Sequence, residues 1–183
     1  MASFGEVAFG GAPVKPGTQP PWDAAREITI PGTSLRIKGY IDRLDISPDG
    51  KHALVCDYKT GKALASDVVI NGGAELQRCL YAYAVKAMLG AQVAVRTSLL
   101  YPREQIAREL DEPDAVMLEL TGHLVNAHTS LLEGHCLPGP DTGGIHDKYT
   151  FLLPANALAT YNKRKAAAIH AVLGDAATVW ESR

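Results

Sequence analysis

The chain has 183 residues, of which 46% are hydrophobic and 21% charged. A chain of this length can bury about two-thirds to three-quarters of its unfolded surface in one domain without staples. Lys and Arg total 18 against 20 Asp and Glu, so any nucleic-acid site must be a local basic patch rather than a global field. Cys56, Cys79 and Cys136 lie far apart with no C-x-x-C pair, which points to neither a disulfide framework nor a sequence-local zinc site; reduced, intracellular thiols are the simplest reading.

Residues 1–22 lack the basic start and apolar run of a signal peptide, and no stretch of about 18 apolar residues occurs anywhere. A cytoplasmic protein with no membrane partner is the expectation. The same segment holds Gly5, Gly10, Gly11, Pro13, Pro16, Gly17, Pro20 and Pro21, a density that suits an extended or flexible lead-in better than a helix or strand. One domain over residues 23–183 should follow it.

From Glu27 to Ile46 the β-branched residues and the alternation in Leu35-Arg36-Ile37-Lys38-Gly39-Tyr40-Ile41 predict one or two strands. Ser47-Pro48-Asp49-Gly50 closes a hairpin, and the return strand runs from His52 to Lys59, ending at Thr60-Gly61. Ala74 to Leu89 reads as a helix stopped by a left-handed cap at Gly90. Gln92 to Tyr101 reads as a buried strand and Ala115 to Leu120 as a shorter one. Helices from about His123 to Glu133 and about Pro154 to Leu173 complete the chain, separated by a Gly/Pro-rich loop at Gly134 to Gly144. The hairpin forces antiparallel pairing and the helical crossover permits parallel pairing, so the fold class is α/β with a central mixed β-sheet flanked by helices.

Side chains alternate along a strand, so Asp57 and Lys59 project from one face, about 7 Å apart along the backbone. A hairpin centred on Pro48-Asp49 would set Asp42 opposite Val55 and diagonal to Asp57 on that same face, at about 7–8 Å between backbones. Two converging carboxylates in an open site suit a hard divalent ion such as magnesium, which can polarise a phosphodiester and lower the pKa of an attacking water. Lys59 could then position or deprotonate that water, or stabilise the transition state. Taken alone, an Asp-x-Lys also fits a surface hairpin with a cross-strand ion pair, which is common and contributes little.

Gly39-Tyr40-Ile41-Asp42-Arg43-Leu44-Asp45, then Asp57-Tyr58-Lys59-Thr60-Gly61, then Leu76-Gln77-x-x-x-Tyr81 together resemble the signature of RecB-like nucleases of the PD-(D/E)xK superfamily, including AddB-like C-terminal nuclease domains. The resemblance implies a restriction-endonuclease-like core and a DNA nuclease of repair or recombination. It implies a metal, Mg2+ or in its place Mn2+, held by Asp42, Asp57 and the backbone carbonyl of Tyr58, with Lys59 catalytic. Gln77 and Tyr81, associated in that family with the active site and DNA, are four apart and share one helix face; the alternative is that Tyr81 simply packs on the sheet beside Leu80 and Ala84. Partners implied are DNA and a helicase domain or subunit.

Arg43 and Asp45 match the signature but alternate onto the opposite face, where supporting or salt-bridged roles suit them. His123 and His128 lack a metal-binding context. Asn162-Lys163-Arg164-Lys165 could meet phosphates or simply face solvent. Family members usually carry an upstream helix that adds an acidic or histidine residue to the metal site; here residues 1–22 offer only Glu6 as an acidic group. Only Cys136 lies near the C-terminus and no cysteine precedes Cys56, so no iron–sulfur cluster is expected. The rival to a nuclease is the same fold kept as a module for DNA binding or helicase docking.

Overall fold

A computed structural model describes residues 1–65, 69–70, 73, 75–135 and 158–177. The chain divides into two compact units, Met1–Thr121 and Gly122–Arg183.

In chain order the strands of the first unit are β1 (Ala2–Phe9), β2 (Ile28–Thr29), β3 (Arg36–Ile37), β4 (Gly39–Ile46), β5 (His52–Tyr58), β6 (Ala94–Tyr101) and β7 (Ile106–Leu110). Five of them form one sheet in the order β1-β4-β5-β6-β7, while β2 and β3 pair separately. The Ser47–Gly50 turn makes β4 and β5 antiparallel, and helix α1 (Gln77–Leu89) carries the chain across to β6, which lies parallel to β5. The sheet is therefore mixed and flanked by helix, as a restriction-endonuclease-like α/β fold requires.

The core lies between α1 and one sheet face, where Leu44, Ala53, Val55, Val93 and Val95 meet Ala82, Ala84, Val85 and Met88. Leu44 is 0% exposed, and burying such a side chain stabilises the fold by roughly 2–3 kcal/mol. Gly90 ends α1 as expected, but with φ 122° and ψ 145°, a positive-φ conformation outside the left-handed helical cap and open chiefly to glycine.

Three elements differ from expectation. Ala2–Phe9 is a strand because the Gly and Pro residues of the lead-in crowd after Phe9, leaving Val7, Ala8 and Phe9 to be buried against β4. Ala115–Leu120, expected as a strand, belongs to helix α2 (Pro113–Leu132). A short apolar run does not separate strand from buried helix; here Pro113 opens the helix and Asp114 lies in its first turn, both favourable at a helix start. The last strand is instead β7, turned back on β6 from Tyr101↔Ile106.

In the second unit α2 continues to Leu132, and α3 (Leu158–Leu173) is followed by a 3-10 turn at Gly174–Ala176. Asn126 Nδ2 donates to the Asp175 carbonyl at 3.2 Å, joining the two. Residues 136–144 of the expected loop, residues 154–157 of the expected last helix and Ala74 lie outside the described residues. Among the described residues no helix is long and apolar enough to cross a membrane.

Candidate active site

The site arises where two neighbouring strands part. β4 and β5 pair only from Ile46↔Ala53 to Arg43↔Cys56; beyond that point β4 stays with β1 as far as Gly39 and β5 stays with β6 as far as Tyr58. The register corrects the expected one, because Leu44 rather than Asp42 lies opposite Val55. The turn is centred one residue later, on Asp49-Gly50, which slides the pairing by two residues. Because side chains repeat every two residues, such a slide keeps each on its face, and it brings Asp42 level with Asp57.

Asp42 sits at a kink. Ile41 and Leu44, three apart, both enter the core, so the alternation slips between them. β1 slips at the matching place: Gly5↔Arg43 and Val7↔Ile41 are paired while Glu6, with φ 51°, breaks the strand geometry between them. Where the β4–β5 ladder stops, Asp42 Oδ2 takes over by accepting the Tyr58 N–H at 2.9 Å.

Asp57 is 5% exposed. Its Oδ2 lies 2.6 Å from Lys59 Nζ, yet this buried oxygen receives no hydrogen bond of good geometry; the contact is an ion pair by distance. Burial pushes the Asp57 carboxyl above the usual carboxylate range, Lys59 pulls it back, and the nearby charges of Asp42 and Glu75 push it further up. Lys59 Nζ also donates to Gln77 Oε1, and Gln77 Nε2 donates to the Tyr81 hydroxyl at 3.3 Å. Burial, then the Asp57 charge, raises the Tyr81 phenol above its ordinary range. The Tyr81 ring meets Phe9 edge-on, with centroids 5.9 Å apart, so it packs on the core and touches Gln77 as well. Asp57, Lys59, Gln77 and Tyr81 thus form one contact chain, with Asp42 joined through the backbone of Tyr58. The Tyr58 side chain is 45% exposed.

Glu75 and Arg78 were not singled out from sequence. Both are buried, and Glu75 Oε2 lies 2.8 Å from Arg78 Nε while Oε1 accepts the Arg78 N–H at 3.3 Å. Arg78 Nη1 also donates to the Glu109 carbonyl at 3.0 Å, pinning the start of α1 to β7. An acidic residue three before a basic one at a helix start was the available signal. Arg43 and Asp45 form a two-point ion pair at 3.1 and 2.9 Å. Although burial favours the protonated form of Asp45, the Ser3 hydroxyl and Arg43 hold its carboxyl below the usual range. His123 and His128 lie half-buried on α2, and Lys163 and Arg164 are exposed on α3, all in the second unit.

Among the described residues there is no group of three or more His, Cys, Asp or Glu spaced for a metal ion. The oxygens available where the strands part are the carboxylates of Asp42 and Asp57 and the neighbouring backbone carbonyl of Tyr58. Two carboxylates and a backbone carbonyl are hard-oxygen donors of the kind that suit a divalent cation keeping several waters, with Asp57 Oδ2 in ion-pair contact with Lys59 Nζ at 2.6 Å.

Comparisons with curated proteins and with solved structures gave no match. The family model of the PD-(D/E)XK nuclease superfamily matches residues 2–144, a span that includes the whole five-stranded sheet, α1 and the parted strands with Asp42, Asp57 and Lys59. Nucleases of this superfamily typically use divalent metals, in keeping with the carboxylate pair. By that match and by its mixed, helix-flanked sheet, the chain belongs to the PD-(D/E)XK nuclease superfamily.

Proposed function

We propose that the chain is a magnesium-dependent deoxyribonuclease of the RecB-like type, akin to AddB-like C-terminal nuclease domains, acting on DNA in repair or recombination beside a helicase domain or subunit. The observation that carries the reading is Lys59 Nζ at 2.6 Å from the buried Asp57 Oδ2, with Asp42 standing on the backbone of Tyr58 next to both.

Asp42, Asp57 and the Tyr58 carbonyl would hold the ion, with Mn2+ an acceptable substitute for Mg2+. Bound there, the ion supplies Lewis-acid polarisation of a phosphodiester and acidifies an attacking water. The chain's own groups do the rest. Gln77 fixes the Lys59 ammonium through its Oε1, and Tyr81 restrains the Gln77 amide, so Lys59 meets the reacting phosphate with its direction already set. From Nζ it donates to the water or to the charge that builds on phosphate oxygens.

The test pairs a nuclease assay on single- and double-stranded DNA with calorimetric titration of Mg2+ and Mn2+. Asp57→Ala and Lys59→Ala should both abolish cleavage with the fold retained, and only Asp57→Ala should abolish metal binding. Wild-type-like cleavage by Asp57→Ala defeats the mechanism. Metal-independent DNA binding by a wild-type chain that never cleaves would favour a non-catalytic module.

A further inference from the structure

Lys15 stands in the loop that follows β1, and nothing in the cleavage machinery uses it. Its ammonium is bound to the Glu6 carboxylate and lies 4.6 Å from the centre of the Tyr40 ring. Glu6 falls between the pairs Gly5↔Arg43 and Val7↔Ile41, level with Asp42, so a group bound to Glu6 stands on the β1 side of β4 at the level where β4 parts from β5. The fields agree: the Asp42 charge reaches Lys15 after those of Glu6 and Tyr40, and the Tyr81 phenol feels Asp57, Asp42 and Glu6 together.

The loop is held in place by bonds at several points. The Tyr40 hydroxyl donates to the Pro13 carbonyl at 2.8 Å, Trp22 Nε1 donates to the Ala8 carbonyl at 2.8 Å, and Thr18 Oγ1 caps the Lys15 carbonyl at 2.9 Å. The bland explanation is that Lys15 merely staples this loop to β1. Exposed ion pairs contribute little to stability, and the Lys15 and Glu6 side chains are 45% and 48% exposed. A non-glycine residue at positive φ, as Glu6 is at 51°, persists only where its surroundings over-determine it, and such strain gathers at functional sites. A weak staple does not account for a strained strand.

We propose that Lys15 is a nucleic-acid contact of this site, gripping a backbone phosphodiester of the strand that enters the cleft, with Glu6 and the Tyr40 ring holding its ammonium ready. An ammonium has three donors; Glu6 takes one, and the exposure leaves others for a phosphate oxygen. The site needs such a cation. Asp42 and Asp57 repel a polyanion, and Lys59, held by Asp57 and Gln77, is directed at the reacting phosphate, so a second cation has the flanking phosphodiester to hold. Restraint before binding reduces the ordering cost of making the contact.

The proposal rests on the nuclease reading, and the experiment separates the two. Binding of a fluorescein-labelled DNA duplex with single-stranded tails is followed by anisotropy in EDTA, with salt varied, alongside cleavage in Mg2+. Each phosphate contact contributes roughly 0.7–0.9 to the slope of log affinity against log salt. Lys15→Gln should lower that slope by about this amount, so that its deficit against wild type shrinks roughly 2.6- to 3.5-fold between about 50 and about 200 mM salt. Lys15→Arg should restore the slope, and Glu6→Gln, which leaves the ammonium in place, should keep it. Lys51→Ala, at the hairpin end of β5 away from Asp57, should not change it. Thermal melts of each variant show whether it folds; should Lys15→Gln unfold, the slope of Lys15→Thr decides. An unchanged slope in a folded Lys15 variant of a DNA-cleaving chain overturns the proposal alone. A wild-type chain that neither binds nor cleaves DNA overturns the nuclease reading and the proposal together.

Discussion

Replacing Lys59 by Met keeps most of the side-chain stem and deletes the charge that faces Asp57. Breaking a fully buried ion pair by removing one partner costs about 3–5 kcal/mol, because a charge is left stranded. In this pair the Asp57 side chain is 6% exposed but the Lys59 side chain is 32% exposed, so solvent already screens the lysine side, and the expected loss is about 1–2 kcal/mol. For a chain of this size that lowers the midpoint of thermal unfolding by roughly 2–8 °C. The pH dependence gives the sign. Burial raises Asp57 above its ordinary value of 3.8, so the folded state keeps this proton to a higher pH than the unfolded chain does, and stability falls as pH climbs through that window. Lys59 is the main influence opposing burial; without it the window extends upward. The deficit of Lys59→Met should therefore shrink below the ordinary carboxylate range to what the lost bond to Gln77 contributes, grow as pH rises through the raised value, and be complete only above the variant's still higher one. Melts by circular dichroism in EDTA across pH measure it, and saturating Mg2+ should recover most of the loss by replacing the missing positive charge. A variant as stable as wild type at neutral pH without divalent ions, or a deficit equal at acid and neutral pH, would refute the reasoning.

Two further substitutions probe the frame around the site. A Cβ at Gly10, where φ is +66°, would lie 2.0 Å from the Ile37 carbonyl oxygen and 2.9 Å from Lys38 Cα, so Gly10→Ala should cost more than about 2 kcal/mol in urea unfolding; Gly17→Ala, with φ +78° and nothing within 4 Å, should cost only about 1 kcal/mol. Tyr81→Phe keeps the edge contact with Phe9 and loses the hydroxyl partner of Gln77; stability should change by less than about 1 kcal/mol while the DNA-cleavage rate falls, whereas Tyr81→Ala should lose roughly 2–4 kcal/mol of stability.

Much of the layout was legible because it depends on short-range periodicity. A spacing of two along a strand puts Asp57 and Lys59 on one face, and a spacing of four on a helix puts Gln77 and Tyr81 in contact, whatever the rest of the chain does. The Pro-Asp-Gly turn announced the hairpin, and an apolar run ending at Gly90 announced α1. Beyond the mixed sheet itself, what depends on a distant partner is far less legible. Pairing of Ala2 with Ile46 or of Phe9 with Gly39 joins segments with no shared pattern, so the glycine-rich start reads as a lead-in and carries no mark of β1. The apolar run at Ala115–Leu120 suited either structure until its neighbours settled it as helix. The hairpin turn fixed which residues could face one another but not the register, and a turn centre displaced by one residue moved the partner of Val55 from Asp42 to Leu44. The burial of the Glu75–Arg78 pair against β7 and the strained Glu6 level with Asp42 are outcomes of packing: the first needs α1 to meet β7 and the second needs β1 to meet β4. Local sequence determines which groups share an element and a face, because those periods are built into the backbone; tertiary structure decides which faces meet, because that depends on the balance of burial and pairing over the whole chain.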